Sequence, residues 1–319
     1  MDVLLTGAAG FIGFHAAKRL LTDGHRVIGV DNLNPYYDTG LKQARLNQLE
    51  DFDGFRFYQI DLSEKGALDA ALKSQNITHI LHLAAQAGVR YSLKDPHAYI
   101  QSNLMGHLNV LEFARHRGTV KHIAYASSSS VYGEREPSGG FKESDRVREP
   151  ASLYAATKLG GEMISESYAR LYDIPQTGLR FFTVYGPWGR PDMAYWIFTQ
   201  KILAGDPITL FAPDIMQRDF TYIGDITRVI PQIVAHRPKG HEIYNLGNSA
   251  PNKLMDLVGA IERATGKKAI TDIKPKQAGD VSATFADISA AQAAFGFQPE
   301  TTIEDGVREF VAWYKQVFK

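Results

Sequence analysis

Hydrophobic and polar positions along roughly the first 185 residues alternate between two periods. Short, mostly unbroken apolar runs occur at VLLT (3–6), RVIGVD (26–31), FRFYQID (55–61), HILHLAA (79–85), HIAYAS (122–127) and QTGLRFF (176–182). Between them the apolar positions recur at helical spacing, as over 11–23, 64–74, 97–117 and 152–173. A strand without a polar face needs cover on both sides, and helices between successive strands supply it. This half therefore predicts an α/β fold with a doubly wound parallel sheet.

The rhythm changes after about 185. YGPWGRPDMAYW (185–196) is a Gly/Pro/aromatic loop, followed by a helix near 194–204 and short strands. EIYNLGN (242–248) reads as a later strand, and 253–266 and 303–318 as amphipathic helices. There are no repeats, low-complexity tracts or long charged linkers, so the parts are expected to pack as one unit.

Composition narrows the function classes. Lys+Arg and Asp+Glu both number 35, so no net field draws the chain to nucleic acid or an anionic membrane. With no cysteine, disulfides, thiolate metal sites and Cys nucleophiles are excluded, which fits a reducing compartment. The apolar N-terminus carries an acid at position 2 and lacks the basic start and cleavage site of a signal peptide. No apolar run reaches the roughly 18 residues of a membrane helix. A soluble, cytoplasmic protein is expected. The ten histidines form no metal-binding spacing, so no metal is expected, and His82 reads as a hydrogen-bonded core residue.

The first strand runs into TGAAGFIG, which sets Gly7, Gly10 and Gly13 at G-x-x-G-x-x-G spacing where the first helix opens. Glycine permits the tight turn and a close approach of backbone to a pyrophosphate, while the helix N-terminus adds free N–H groups and partial positive charge. Three glycines alone are a weak signal. Here Asp31 ends the second strand, 18 residues after Gly13. A carboxylate there accepts hydrogen bonds from an adenosine ribose and repels a 2′-phosphate. The pattern predicts NAD rather than NADP, with Gly7, Gly10, Phe11, Ile12, Gly13, Asp31 and Asn32 around it. Ligands of doubly wound sheets bind at the carboxyl ends of strands, which adds Asp61 and Leu62 after the third strand and Leu83, Ala84 and Ala85 after the fourth. Asp61 suits the adenine amino group or a helix N-terminal cap, and the two are compatible. An NAD-binding Rossmann domain is thus expected over 1–185, joined by the later strand at 242–248, with a smaller mixed α/β substrate domain over 186–319.

SLYAATKLGGE places Tyr154 and Lys158 four apart on one helix face. Tyrosine, with an unperturbed pKa of about 10, is a poor base at neutral pH. An ammonium one turn away, together with the positive nicotinamide, stabilises the phenolate and makes the pair a base for a sugar hydroxyl. Alone, Y-x-x-x-K is common on helix surfaces.

Gly7-Ala8-Ala9-Gly10-Phe11-Ile12-Gly13, Asp31-Asn32, the SSSSVYG strand end, Tyr154 with Lys158, and LRFFTVYGP (179–187) together resemble the extended short-chain dehydrogenase/reductase family, enzymes of nucleotide sugars, over nearly the whole chain. In that family a Ser or Thr four residues before the Tyr of the V-Y-G motif hydrogen-bonds the reacting O4; here that position is Ser128. LAAQAGVRYS (83–92), YGPWGRPDMA (185–194) and MQRDFTYIGDI (216–226) resemble the UDP-glucuronate 4-epimerases within it more than the UDP-galactose 4-epimerases, which usually carry Asn where this chain has Thr183. The resemblance implies tightly held NAD, a 4-keto intermediate that turns over in the pocket, and interconversion of UDP-glucuronate and UDP-galacturonate. It also implies a homodimer through the helices over 97–117 and 152–173.

The serine run carries the finer expectation. Ser127 is expected to end the strand and Ser128 to serve the proton transfer. Related dehydratases carry Asp-Glu at the next two positions, and related UDP-glucuronate decarboxylases a Glu at the second; this chain has Ser129 and Ser130, which are neutral. Hydroxyls can hold a uronate carboxylate without like-charge repulsion. The resemblance places Thr183 and Arg190 beside that carboxylate. A polar strand end capped by local bonds is the alternative for Ser129 and Ser130, and a surface ion pair for Arg190. At the UDP end, Arg218 suits the diphosphate, Phe211 the uracil and Asp280 a ribose hydroxyl; Gln277-Ala278 stands where galactose-type epimerases often have Arg before Gly-Asp. The rival activities are 4-epimerisation of neutral or N-acetylated UDP-hexoses, decarboxylation of UDP-glucuronate, and a non-catalytic NAD-binding regulatory role.

Overall fold

Seven strands form the central sheet of the computed structural model, which describes residues 1–134, 139–275 and 283–318. They are β1 (Asp2–Thr6), β2 (Arg26–Asp31), β3 (Phe55–Gln59), β4 (His79–His82), β5 (His122–Ser128), β6 (Gln176–Phe181) and a late strand, His241–Leu246. Their spatial order is late strand–β6–β5–β4–β1–β2–β3. β1 pairs in parallel with both β2 and β4, setting Leu5 opposite Gly29 on one side and Leu81 on the other. The chain first winds outward from β1 to β3, then restarts at β4 and winds the other way. The order reverses between β1 and β4, the place where doubly wound sheets bind ligands at their carboxyl edge.

The apolar runs become buried strands because helices cover both faces. Leu4, Ile28 and Ile80 of the sheet pack in one cluster with Leu68 and Leu72 of helix Ala67–Leu72 and with Val110, Leu111 and Phe113 of helix Gly106–Arg117. The helix predicted over 97–117 is not a single α-helix. It runs as Pro96–Tyr99, a π-helical turn Ile100–Met105, and then Gly106–Arg117. Hydrophobic spacing reports which positions are buried, not whether a turn closes i→i+4 or i→i+5, so it does not reveal the π segment. A helix at Thr39–Glu50 also lies between β2 and β3, with Arg45 and Lys42 on its buried side.

The chain separates into two compact units. The first comprises residues 1–133, 146–180 and 227–244 and carries most of the sheet; the second comprises 134–145, 181–226 and 245–319. In the second unit, strands Thr183–Tyr185, Gln217–Tyr222, Pro251–Lys253 and Ala283–Thr284 form one small sheet, and Ile208–Phe211 pairs with Thr271–Lys274. Its core is aromatic: Tyr195 and Trp196 of helix Ala194–Ala204 meet Phe310, Trp313 and Tyr314 of helix Ile303–Val317.

Candidate active site

The glycine loop is built on backbone. The N–H groups of Gly7 and Ala8 donate to Val30 O at 2.7 and 3.1 Å, which turns the chain sharply off β1. Gly7 has φ +74°, and a Cβ there would lie 2.8 Å from Ala84 N. A Cβ on Gly13 would lie 1.9 Å from Gly7 O, so only glycine lets the first helix pack against its own loop. Gly10 caps that helix, Phe11–Thr22, without any side-chain hydrogen bond to its first N–H groups. Phe11 is buried in the core, whereas Gly7, Gly10 and Ile12 stay partly exposed. A bare loop at a helix N-terminus at the switch point fits a dinucleotide pyrophosphate.

Asp31 is largely buried at the end of β2 and already has partners. Its carboxylate accepts from Ala9 N at 3.2 Å and Leu33 N at 2.8 Å, and Lys42 Nζ lies 3.8 Å away. Burial lowers the Lys42 pKa, and Asp31 works against that shift. Arg45, fully buried, donates to Ala9 O at 2.8 Å and to Tyr37 Oη at 2.7 Å. The carboxylate expected on the ribose therefore also braces the glycine loop.

Asp61 does not cap a helix: the next helix starts at Ala67 after Gly66. It closes a short turn instead, accepting from Ser63 N (2.8 Å) and Ser63 Oγ (2.7 Å), and it accepts from Asn32 Nδ2 at 3.0 Å. Burial opposes ionisation, but these bonds outweigh it and lower the Asp61 pKa. Leu62 is buried, while Leu83, Ala84 and Ala85 are half-buried after β4. Leu83 N and Ala84 N bond Thr6 O and Thr6 Oγ1, so this loop is tied to the end of β1.

Tyr154 and Lys158 lie on helix Leu153–Tyr172, whose N-terminus is capped by Ser152 Oγ accepting from Ala155 N at 3.1 Å. Tyr154 is half-buried with its ring edge-on to Tyr99 at 6.0 Å. Lys158 Nζ donates to Ala126 O at 2.9 Å. Burial pushes its pKa down to about 8, and the charge of Glu162 acts in the opposite direction. His82 and His107 are buried neighbours of this helix, bonded to Thr6 Oγ1 (2.7 Å) and Ser165 Oγ (2.8 Å). Burial takes His82 well below its usual pKa and His107 down to about 3, so both stay neutral near the ammonium.

β5 extends through Ser128, one residue beyond the expected end, and Ser127 faces inward. Ser128 Oγ caps the turn Ser129–Tyr132 by accepting from Ser130 N at 3.2 Å, and it also accepts from Ser130 Oγ at 3.0 Å. The cap of this turn is supplied by Ser128, and the Ser130 hydroxyl bonds that side chain rather than backbone. Ser128, Ser129 and Ser130 all remain partly exposed.

Sequence reasoning missed two groups of this unit. Asn103, in the π turn, accepts from Gln86 N (2.8 Å) and donates to Gln86 O (3.0 Å) and Thr157 Oγ1 (3.0 Å), joining the loop after β4 to the Tyr154 helix. Nothing in the sequence pattern marks it. Glu162 accepts from Ser127 Oγ at 2.5 Å and takes Arg180 bidentately at 2.9 and 2.8 Å. Its place four residues after Lys158, on the same face, is the signal that could have found it.

In the second unit, Thr183 opens its short strand opposite Phe220, and Phe211 ends another. Arg190 is held by Asp192, Nε to Oδ1 at 3.0 Å and Nη2 to Oδ2 at 2.6 Å. Arg218 sits between Asn252 and Thr284 in the small sheet and donates to Gln217 O at 2.8 Å. Its neighbour Asp219 is fully buried and accepts from Asn248 N, Ser249 N and Ala286 N. Burial raises its pKa to about 6 against these bonds. Asp280, with Gln277 and Ala278, lies outside the described residues.

Among the described residues no cluster of three or more His, Asp or Glu could hold a metal ion, and no helix is long and apolar enough to cross a membrane.

A protein of Rhizobium meliloti (strain 1021) named "Probable UDP-glucuronate 4-epimerase" is 44% identical over 338 residues, covering 100% of this chain and 98% of the relative. "UDP-glucuronate 4-epimerase 2" of Arabidopsis thaliana is 43% identical, covering 100% of this chain and 77% of the relative. The crystal structure of UDP-glucuronic acid 4-epimerase from Bacillus cereus, in complex with UDP-glucuronic acid and NAD, matches with a TM-score of 0.93 at 34% identity over 100% of both chains. Residues 3–247 match the model of the NAD dependent epimerase/dehydratase family, and the chain belongs to that family.

Proposed function

We propose that the chain is an NAD-dependent 4-epimerase that interconverts UDP-glucuronate and UDP-galacturonate. The observation that carries this reading is the segment Ser128–Ser130: three partly exposed hydroxyls, with no carboxylate among them, at the end of the strand whose Ala126 O receives Lys158. Gly7, Gly10 and Gly13 would take the pyrophosphate of NAD, Asp31 its adenosine ribose, and Asn32 with Asp61 its adenine side. When bound, the cofactor supplies the acceptor and donor for the C4 hydride.

The remaining chemistry belongs to side chains. Tyr154 takes the O4 proton, Lys158 stabilises the phenolate, and Ser128 hydrogen-bonds O4. A 4-keto uronic acid is a β-keto acid that readily loses CO₂, so its carboxylate must be held out of line for C–C cleavage. Ser129, Ser130, Thr183 and Arg190 are assigned that task, with Arg190 exchanging Asp192 for the substrate. Arg218 and Phe211 are assigned to the diphosphate and uracil, and Asp280 to a ribose hydroxyl. Two copies are proposed to pair through 97–117 and 152–173, which leave Ile100, Met105, Met163 and Leu171 exposed; chromatographic size measures this.

The deciding experiment follows products from UDP-glucuronate by NMR, using protein as purified with no NAD added. UDP-galacturonate is the expected product. A UDP-pentose as main product, or preference for UDP-glucose at matched concentration, overturns the proposal. The Arg190–Asp192 pair is the observation that favours the neutral-sugar alternative, because it occupies the guanidinium.

A further inference from the structure

Beneath the serine run lies a buried polar set that the proposed proton chemistry does not use. Glu162 and Arg180 are both almost completely buried and bonded fork to fork. The Arg180 guanidinium also lies over the Tyr132 ring at 4.8 Å, just past the serines. Glu162 also accepts from Ser127 Oγ at 2.5 Å. Burying an ion pair so fully costs desolvation that its own attraction seldom more than offsets, so stability alone is a poor reason for it. What the pair does achieve is geometric. Lys158 Nζ reaches Ala126 O, and Glu162, one turn further along the same helix, reaches Ser127. Two successive residues of β5 are thereby fastened to two successive turns of the helix that carries Tyr154. The next residue of the strand is Ser128.

We infer that Ser127, Glu162 and Arg180 form a positioning set for the reaction, fixing the strand end that presents Ser128 against the helix that presents Tyr154. None of the three touches substrate; they act through Ser128 and Tyr154. The inference rests on the 4-epimerase reading for its kinetic consequence, while the fastening itself does not depend on which sugar is bound. Proton transfer falls steeply with small displacements of the groups involved, so a loosened strand end lowers turnover before it lowers binding.

Ser127→Ala is the informative change because it removes one hydroxyl and leaves the Glu162–Arg180 pair intact. With UDP-glucuronate, kcat is expected to fall about tenfold while KM stays within about twofold and bound NAD is retained. Ser127→Thr, which restores the hydroxyl on a strand-compatible side chain, returns kcat. Amide exchange read by mass spectrometry speeds up across 128–132 in Ser127→Ala and stays unchanged elsewhere. If Ser127→Ala fails to fold, Ser127→Cys keeps the shape with a weaker donor and serves in its place. Unchanged exchange across 128–132 overturns the inference, as does a kcat loss that Ser127→Thr does not reverse. If the wild-type protein does not act on UDP-glucuronate, the 4-epimerase reading falls, and the exchange measurement still decides whether the fastening exists.

Discussion

The two units hold their functional side chains in different ways. In the first, Asp31 and Ser127 stand at the ends of parallel strands and Lys158 on the 20-residue helix Leu153–Tyr172, and each of the three is held by a partner inside the unit. Lys158 is tied to Ala126 O, Ser127 to Glu162, and Asp31 to the N–H groups of Ala9 and Leu33. In the second unit, Thr183 lies on a three-residue strand, and Arg190 lies in a loop bonded to its near neighbour Asp192. Groups that move protons lose rate with small displacements and profit from a rigid frame. Groups that recognise a substrate can sit on short elements and change partners. The contrast predicts that substitutions in the first unit act on turnover, and those in the second on substrate affinity and choice.

Tyr154→Phe gives the largest expected effect. Removing the proton acceptor lowers kcat by about 10²–10⁴-fold, the usual range for general-base catalysis, while bound NAD and UDP-sugar affinity are retained. Steady-state rates with NAD content by absorbance check both. A variant that keeps a tenth of the activity would take the base off this helix.

The pH dependence of the wild type is next. Burial has brought Lys158 down to about 8. Below that pH the ammonium is present to support the proposed Tyr154 phenolate. As pH rises through about 8 the charge is lost and kcat declines, by up to about tenfold per pH unit for a single proton. A pH–rate profile flat to pH 9.5 would mean that Lys158 is not coupled to the base.

Much of the first unit was legible from spacing alone. The strand runs and the three glycines with Asp31 are local patterns of fixed period, whereas Tyr154 and Lys158, at a spacing common on helix surfaces, stand out only through the family resemblance. What stayed hidden depends on partners distant in sequence. Arg180 meets Glu162 only because β6 lies beside β5, and Asn103 reaches Gln86 and Thr157 from a π turn whose bonding pattern spacing does not disclose. In the second unit even the site assignments came from motif resemblance. Its strands are too short for periodicity to speak, and Asp219 shows its role only once Asn248, Ser249 and Ala286 converge on it.

Arg190→Ala tests the other side of the comparison. Losing a charge-assisted contact to a carboxylate costs about 1.5–3 kcal/mol where it is well formed, and less at a partly exposed site. KM for UDP-glucuronate is expected to rise about tenfold while that for UDP-glucose, which has no carboxylate, stays the same. Equal effects on both sugars would make the Asp192 pair a loop brace and nothing more.

Ser130→Ala is the finest probe, because the two readings of this residue differ by one hydrogen bond. Ser130 Oγ donates to Ser128 Oγ at 3.0 Å, and Ser130 N donates to the same atom at 3.2 Å. The substitution removes the first bond and keeps the second, so the turn Ser129–Tyr132 retains its cap. As a local brace alone the hydroxyl contributes about 0.5–1.5 kcal/mol to stability, and catalysis is untouched. As a carboxylate ligand its loss raises KM for UDP-glucuronate a few-fold or lets a fraction of the 4-keto sugar lose CO₂. Product NMR separates the two cases, since a decarboxylated pentose cannot arise from a change in stability. A lowered melting temperature with neither kinetic change would leave the carboxylate to Ser129, Thr183 and Arg190, and would move the recognition of the acid toward the second unit.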